Sequence, residues 1–169
     1  MRMLRFSRLC LLSQNERRSF SLNLSSETLV LQAGNGFGKS AVLKSLYDAL
    51  GAEPPRIDLP WRSAQVETLL DLTVDDVPYA VLSGRGSYAV FDAGGALQLR
   101  TRSIGKDLTD YLAKLLDFRL EMLNKQEQPV TPPPAYMFAP FYIDQDAGWK
   151  KPWTSFNRLY FNNSPKTLA

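Results

Sequence analysis

The sequence predicts an α/β fold, and three observations carry that prediction. Apolar residues alternate with polar ones early in the chain and again between residues 66 and 102. Helix-period apolar stripes cover residues 40–50 and 106–124. Between an apolar run and the first of those stripes lies a glycine-rich loop, Ala33-Gly34-Asn35-Gly36-Phe37-Gly38-Lys39-Ser40. Period two marks half-buried strands and period 3.6 marks amphipathic helices.

Met3 to Leu12 and Ser19 to Leu24 read as a β-hairpin around the polar stretch Ser13 to Arg18. The apolar run Thr28-Leu29-Val30-Leu31 reads as a strand leading into the loop. Val42, Leu43, Leu46, Tyr47 and Leu50 form the stripe of the helix after it, with Gly51 at the position where helices end. From 66 to 102 a β-meander is expected, with turns at Asp75-Asp76-Val77-Pro78, Gly84-Arg85-Gly86 and Ala93-Gly94-Gly95. A helix follows over 106–124, carrying Leu108, Leu112, Leu115, Leu116 and Leu123 on one side. Pro129 and Pro132-Pro133-Pro134 then make a stiff linker. A strand is expected over 136–146. An aromatic helix is expected over 149–161, because Trp149, Trp153, Phe156 and Tyr160 recur at intervals of four, three and four.

The loop has the residues that phosphate binding requires. Gly34, Gly36 and Gly38 allow a bend in which backbone N–H groups face phosphate oxygens. Asn35, Phe37 and Ala41 belong to the same cradle. The helix that follows contributes the positive end of its dipole, Lys39 can reach the β and γ phosphates, and the Ser40 hydroxyl is placed to ligate Mg²⁺. The cofactors implied are ATP and Mg²⁺. One position departs from the general pattern G-x-x-x-x-G-K-[ST], because Ala33 stands where glycine is usual, and Gly34 is available to make the turn.

Composition excludes several function classes. The 169 residues suit one domain with a core, and 44% hydrophobic with 22% charged residues is ordinary for a globular protein. Twenty basic and seventeen acidic side chains leave a net charge of +3, too slight to argue nucleic-acid binding alone. Cys10 is the only cysteine, so no internal disulfide forms. The absence of histidine removes the usual zinc sites and every histidine-based triad. The apolar run Leu9 to Leu12 is shorter than the roughly 7 to 15 residues of a signal-peptide core. No stretch reaches the roughly 20 apolar residues that span a bilayer. A cytoplasmic protein without a membrane partner is expected.

Gln145 closes the run Phe141-Tyr142-Ile143-Asp144-Gln145-Asp146. A phosphate-binding loop followed by a strand ending in glutamine resembles the ABC-type ATPases, in which that glutamine reaches Mg²⁺ and the attacking water. The form G-x-N-G-x-G-K-S, with Ala33 at its first position, is most similar to the SMC, RecF and SbcC branch. Hairpin, loop strand, helix, meander, helix and glutamine strand together resemble the N-terminal lobe of such a head, over nearly the whole chain. The resemblance implies a P-loop NTPase fold and phosphate and Mg²⁺ roles for Lys39 and Ser40. It implies Mg²⁺ and water contacts for Gln145, and a nucleotide contact from the arginine-serine pair near Arg17, Arg18 and Ser19. The sequence Tyr142-Ile143-Asp144-Gln145-Asp146, with Gly148-Trp149 and Trp153-Thr154-Ser155-Phe156 downstream, is also similar to SMC-like ATPases of bacterial antiphage defence systems.

Two lookalikes belong to turns. Leu82-Ser83-Gly84-Arg85-Gly86 mimics the ABC signature motif but precedes Gln145 and lies among strand-like residues. Asp75, Asp76 and Asp92 mimic the acid that ends a Walker B strand but sit in the meander. After Gln145 only 24 residues remain, too few for the signature helix, the acidic strand and the catalytic glutamate of the second lobe. The expectation is half of a head, completed by a C-terminal lobe or a homologous subunit. Such a half would serve ATP-dependent engagement in DNA repair, DNA processing or genome defence, with DNA as a partner of the assembled machine. Two alternatives stay open: a complete small P-loop kinase using Asp75 or Asp92 for Mg²⁺, and a degenerate scaffold lobe that does not hydrolyse ATP.

Overall fold

A computed structural model of the chain describes residues 2–26, 28–32, 34, 38–55, 61, 63–124, 126–143 and 155–157. Its centre is a six-stranded antiparallel sheet in the order β2-β1-β3-β4-β5-β6. The expected hairpin forms from β1 (Leu4–Ser13) and β2 (Arg18–Asn23), and β1 pairs on its other side with β3 (Glu67–Val74). The meander continues through β4 (Val77–Gly84), β5 (Ser87–Phe91) and β6 (Leu97–Thr101). Period two survives intact: along β3 every second residue is buried, namely Thr68, Leu70, Leu72 and Val74. The turns Asp75-Asp76 and Arg85-Gly86 both have positive φ at their two central residues, the geometry that matches strand twist in tight hairpins. Gly86 is therefore explained by its turn, and the signature lookalike is a hairpin. The three lookalike acids serve those turns. Asp75 accepts from the Met3 amide at 2.9 Å, Asp76 pairs with Arg5 at 3.4 Å, and Asp92 accepts from the Gly94 and Ala96 amides at 2.9 Å.

One face of the sheet is covered. Leu9, Leu70 and Val90 are fully buried there, each burial contributing about 2 kcal/mol, against helix α1 (Lys39–Asp48) and helix α2 (Thr109–Leu116). A five-residue π-helical turn, Ile104–Leu108, leads into α2, and the Thr109 hydroxyl donates to the Ile104 carbonyl at 2.6 Å.

Three expectations are corrected. The strand expected over 136–146 begins instead as a short helix α3 (Pro134–Phe138) followed by a 3₁₀ turn, Ala139–Phe141. All five α3 residues are buried, and a continuous apolar run cannot be told from a buried helix by periodicity. Pro134 at the first helical position, after extended Pro133 (ψ 159°), starts the helix. The helix expected to reach 124 stops at Leu116. Asp117 adopts left-handed φ 51°, and the Phe118 amide closes back on the Ala113 carbonyl at 2.8 Å. The chain then makes a small hairpin, pairing β7 (Met122–Leu123), at the end of the expected helix, with β8 (Pro129–Val130), in the expected linker. Residues 28–32 form no strand, and Val30 is 81% exposed. A strand needs a ladder partner, and none is present for them among the described residues. The expected stripe of α1 holds in most of its residues: Leu46 and Leu50 are buried and Val42 and Tyr47 pack against the core, while Leu43 stays 41% exposed and Lys44 is buried beside it. Of the expected aromatic helix only Ser155–Asn157 are described, with Phe156 2% exposed in the core. The end of the glutamine strand lies outside the described residues.

Candidate functional site

The loop and the start of α1 supply the candidate site. Gly38 caps the helix in the left-handed region, φ 77° and ψ 13°, where a side chain is strained but glycine is not. No atom of the described residues lies within 4 Å of where its Cβ would be, and the left-handed conformation calls for glycine. The Val42 amide accepts the helical register at once, donating to the Gly38 carbonyl at 3.0 Å. Lys39 is the first helical residue, and its Nζ reaches back to donate to the Gly34 carbonyl at 2.8 Å. The ammonium thus lies over the loop it follows. Ser40 is exposed, Ala41 is half-buried, and no acid occupies the first turn. The arrangement is a cation and a hydroxyl at the positive end of a helix dipole, which favours an anion.

The other expected residues are outside the described set or on the β1–β2 hairpin. Ala33, Asn35, Gly36, Phe37 and Gln145 lie outside the described residues. Arg17 is in the β1–β2 turn with φ 52°, and Arg18 opens β2; both are exposed. The hairpin tip is fastened to residues 63–64: the Ser13 hydroxyl donates to the Ala64 carbonyl at 2.6 Å, and Asn15 donates to the Ser63 carbonyl at 3.3 Å. Arg18 and Ser19 line a groove of about 340 Å³ with Phe20, Trp61 and Val66. The structure therefore brings together Gly34, Gly38, Lys39, Ser40 and Ala41, and no described contact joins Arg17 or Arg18 to them. Among the described residues, no group of three acidic or cysteine side chains converges as a metal site.

The far end of α1 carries side chains that the sequence reading placed only in a stripe or not at all. Tyr47 meets three other rings, with centroids 5.9 Å from Phe138, 4.9 Å from Tyr142 and 5.5 Å from Phe156. Its hydroxyl donates to the Phe141 carbonyl at 3.3 Å, and burial raises its pKa, keeping the phenol protonated. Tyr47 also lines an apolar cavity of about 320 Å³ with Phe6, Leu116, Met137 and Phe138. The residues that line it include no charged group. Asp48 lines a second cavity of about 490 Å³ with Ser45, Trp61, Thr68 and Arg85. Burial, and then the nearby Glu53, push the Asp48 carboxyl up to about 6. Its position near a helix C-terminus also disfavours the anion. A single acid in a helix gives no sequence signal for this, because burial and the Glu53 neighbour arise from the turn at Gly51.

No family model matches the chain, and no solved structure gives a significant match. No helix among the described residues is long and apolar enough to cross a membrane. Two curated relatives do match. The Lamassu protein LmuB of Bacillus cereus is 30% identical over 131 residues, covering 78% of this chain and 22% of the relative. The Lamassu protein LmuB of a second Bacillus strain is 27% identical over 124 residues, covering 72% of this chain and 21% of the relative. The chain is similar to Lamassu LmuB proteins along most of its own length, and spans about a fifth of theirs.

Proposed function

We propose that the chain is the ATP-binding N-terminal lobe of an SMC-like ABC ATPase subunit acting in antiphage defence. One observation carries the nucleotide reading: a left-handed glycine hands the loop directly to a helix whose first two residues are Lys39 and Ser40, with Lys39 Nζ folded over the loop at Gly34. The same reach would place the ammonium on β and γ phosphate oxygens, with the Ser40 hydroxyl on Mg²⁺. Similarity to the two Lamassu proteins supports the defence role.

The half-site reading draws on what surrounds the loop. Leu29 and Val30 before it and Leu43 after it are 42%, 81% and 41% exposed. Apolar residues bare on both flanks suit a site completed by another lobe or subunit. Residues 28–32 pair with no strand among the described residues, so a strand there would take its neighbours from the completing lobe. ATP·Mg²⁺ would bind through Lys39, Ser40 and Gln145, and a signature motif from the completing lobe would close over the γ phosphate. Hydrolysis would then reopen the pair. Electrostatic clamping of the phosphates supplies the catalytic effect, and the acid that activates water comes from the other lobe. DNA is the substrate proposed for the assembled machine.

Purified residues 1–169 test this reading. Binding of Mg²⁺·ATP with negligible turnover is expected. Robust hydrolysis abolished by Lys39→Ala contradicts the half-site, and the absence of binding contradicts the nucleotide reading. In cells, Lys39→Ala in the full-length protein is expected to abolish protection against phage in a plaque assay.

A further inference from the structure

The outer face of the sheet, opposite the helices, changes character from one edge to the other. Side chains alternate between the two faces, and the register sets Ser19, Ser21 and Asn23 of β2 on the outer one, beside Leu12, Cys10 and Arg8 of β1. The three β2 residues are polar and exposed, as suits a solvated antiparallel face. Toward the other edge the same face turns apolar. Ala80 and Leu82 of β4 align with Phe91 and Ala89 of β5, and Leu97 of β6 pairs with Phe91. Leu82 is 42% exposed and Leu97 54%. The small residues Gly84, Ser87 and Ala89 leave space between Leu82, Phe91 and Leu97, and the result is a groove of about 350 Å³. Glu67 lies across Gly84, where a Cβ would meet its Cγ at 2.8 Å, and pairs with Arg85 at 3.3 Å.

Charge is distributed just as unevenly. Arg8 pairs with Asp71 at 2.7 Å and Arg5 with Asp76 at 3.4 Å, so those cations, like Arg85, are answered. Arg100 lines the groove, and Arg102 Nε donates to the Ser87 hydroxyl beside it at 3.2 Å. Among the described residues neither guanidinium meets an acid. Two residues along a strand span roughly 7 Å. Carboxylates at i and i+4 of a helix rise about 6 Å and match that spacing.

Duplex DNA fits this groove poorly, because its backbone calls for cations where Leu82, Phe91 and Leu97 stand. Helices α1 and α2 carry one acid each, so neither supplies the pair from a second copy. We propose that this face docks an amphipathic helix of a partner protein: its apolar stripe fills the groove, and two acids one turn apart bind Arg100 and Arg102. The groove lies on the face opposite α1, so docking there stands apart from nucleotide binding at the loop.

Site-specific photocrosslinking in the full-length protein, in its native host, tests this. Benzoylphenylalanine in place of Leu82 is expected to cross-link to one partner segment, whose mapped sequence carries an apolar stripe beside acids at i and i+4. The same probe in place of Ser21, on the polar part of the face, is expected to give no cross-link. Arg100→Glu combined with Arg102→Glu is expected to lower the Leu82 yield at least roughly tenfold, whereas Arg100→Lys retains it. Changing the two mapped acids of the partner to lysine is expected to restore the yield with the double variant. If the double variant does not fold, Ala89→Gln fills the groove without altering charge and is expected to give the same loss. No cross-link at Leu82 overturns the proposal. So does a cross-link to nucleic acid, to the protein's own chain or to a segment without the acid pair, or a yield that folded variants leave unchanged.

Discussion

The two ends of α1 are built on the same backbone device and surrounded in opposite ways. At each end a glycine sits in the left-handed region, Gly38 at φ 77° and Gly51 at φ 73°. Among the described residues no atom lies within 4 Å of a Cβ on Gly38, whereas a Cβ on Gly51 would lie 2.8 Å from Leu108 Cδ2 and 3.1 Å from Ile104 Cγ2. The loop end presents Lys39 and Ser40 outward. The far end buries Ser45, Leu46, Ala49 and Leu50 in the core. A binding end can stay open only if something else holds the helix in place, and here the far end does so.

That comparison can be broken by substitutions along the helix. The largest effect on stability is expected from Gly51→Ala, which meets both the left-handed backbone penalty and the contact with Leu108. A loss of about 3 kcal/mol by urea unfolding is predicted. An effect no greater than that of Gly38→Ala would refute the asymmetry. Asp48→Asn comes next, with the opposite sign. The folded carboxyl, at about 6, is raised above the ordinary aspartate value of about 3.9. The folded state therefore holds its proton more tightly, and stability falls as pH rises from about 4 to about 6. Asn removes that loss, so at pH 7 the variant should be about 2 kcal/mol more stable. Its stability should also vary less across that window than the wild type's. Gly38→Ala should cost about 1 kcal/mol, the backbone penalty alone. Lys39→Ala should change stability by about 0.5 kcal/mol or less, because its partner at Gly34 is exposed.

The same contrast explains what the sequence made legible. The meander could be read because Glu67 to Val74 strictly alternates between a covered and an uncovered face. The Gly51 helix end could be read because left-handed caps favour glycine. Asp117 performs the same closure without being glycine, which is why α2 ends eight residues before the expected position. The run Ala135 to Phe138 is apolar on every side, so neither period marks it, and only Pro134 hinted at a helix start. At the candidate site, Lys39 and Ser40 were legible because their chemistry is local to one loop and one helix start. Tyr47 and Asp48 were not, because their significance comes from Tyr142, Phe156 and Glu53, which only the fold brings near. Lys44 shows the limit of the stripe argument: a lysine is 5% exposed where Leu43, beside it, is open.

Because Lys39→Ala should leave stability nearly unchanged, it is the cleanest probe of the account's central claim that this loop binds nucleotide. The measurement is titration of wild-type and Lys39→Ala protein with a fluorescent ATP analogue in Mg²⁺. Saturable wild-type binding with at least roughly 100-fold weaker binding by the variant is predicted. Equal binding by the two proteins, or none by the wild type, would contradict it.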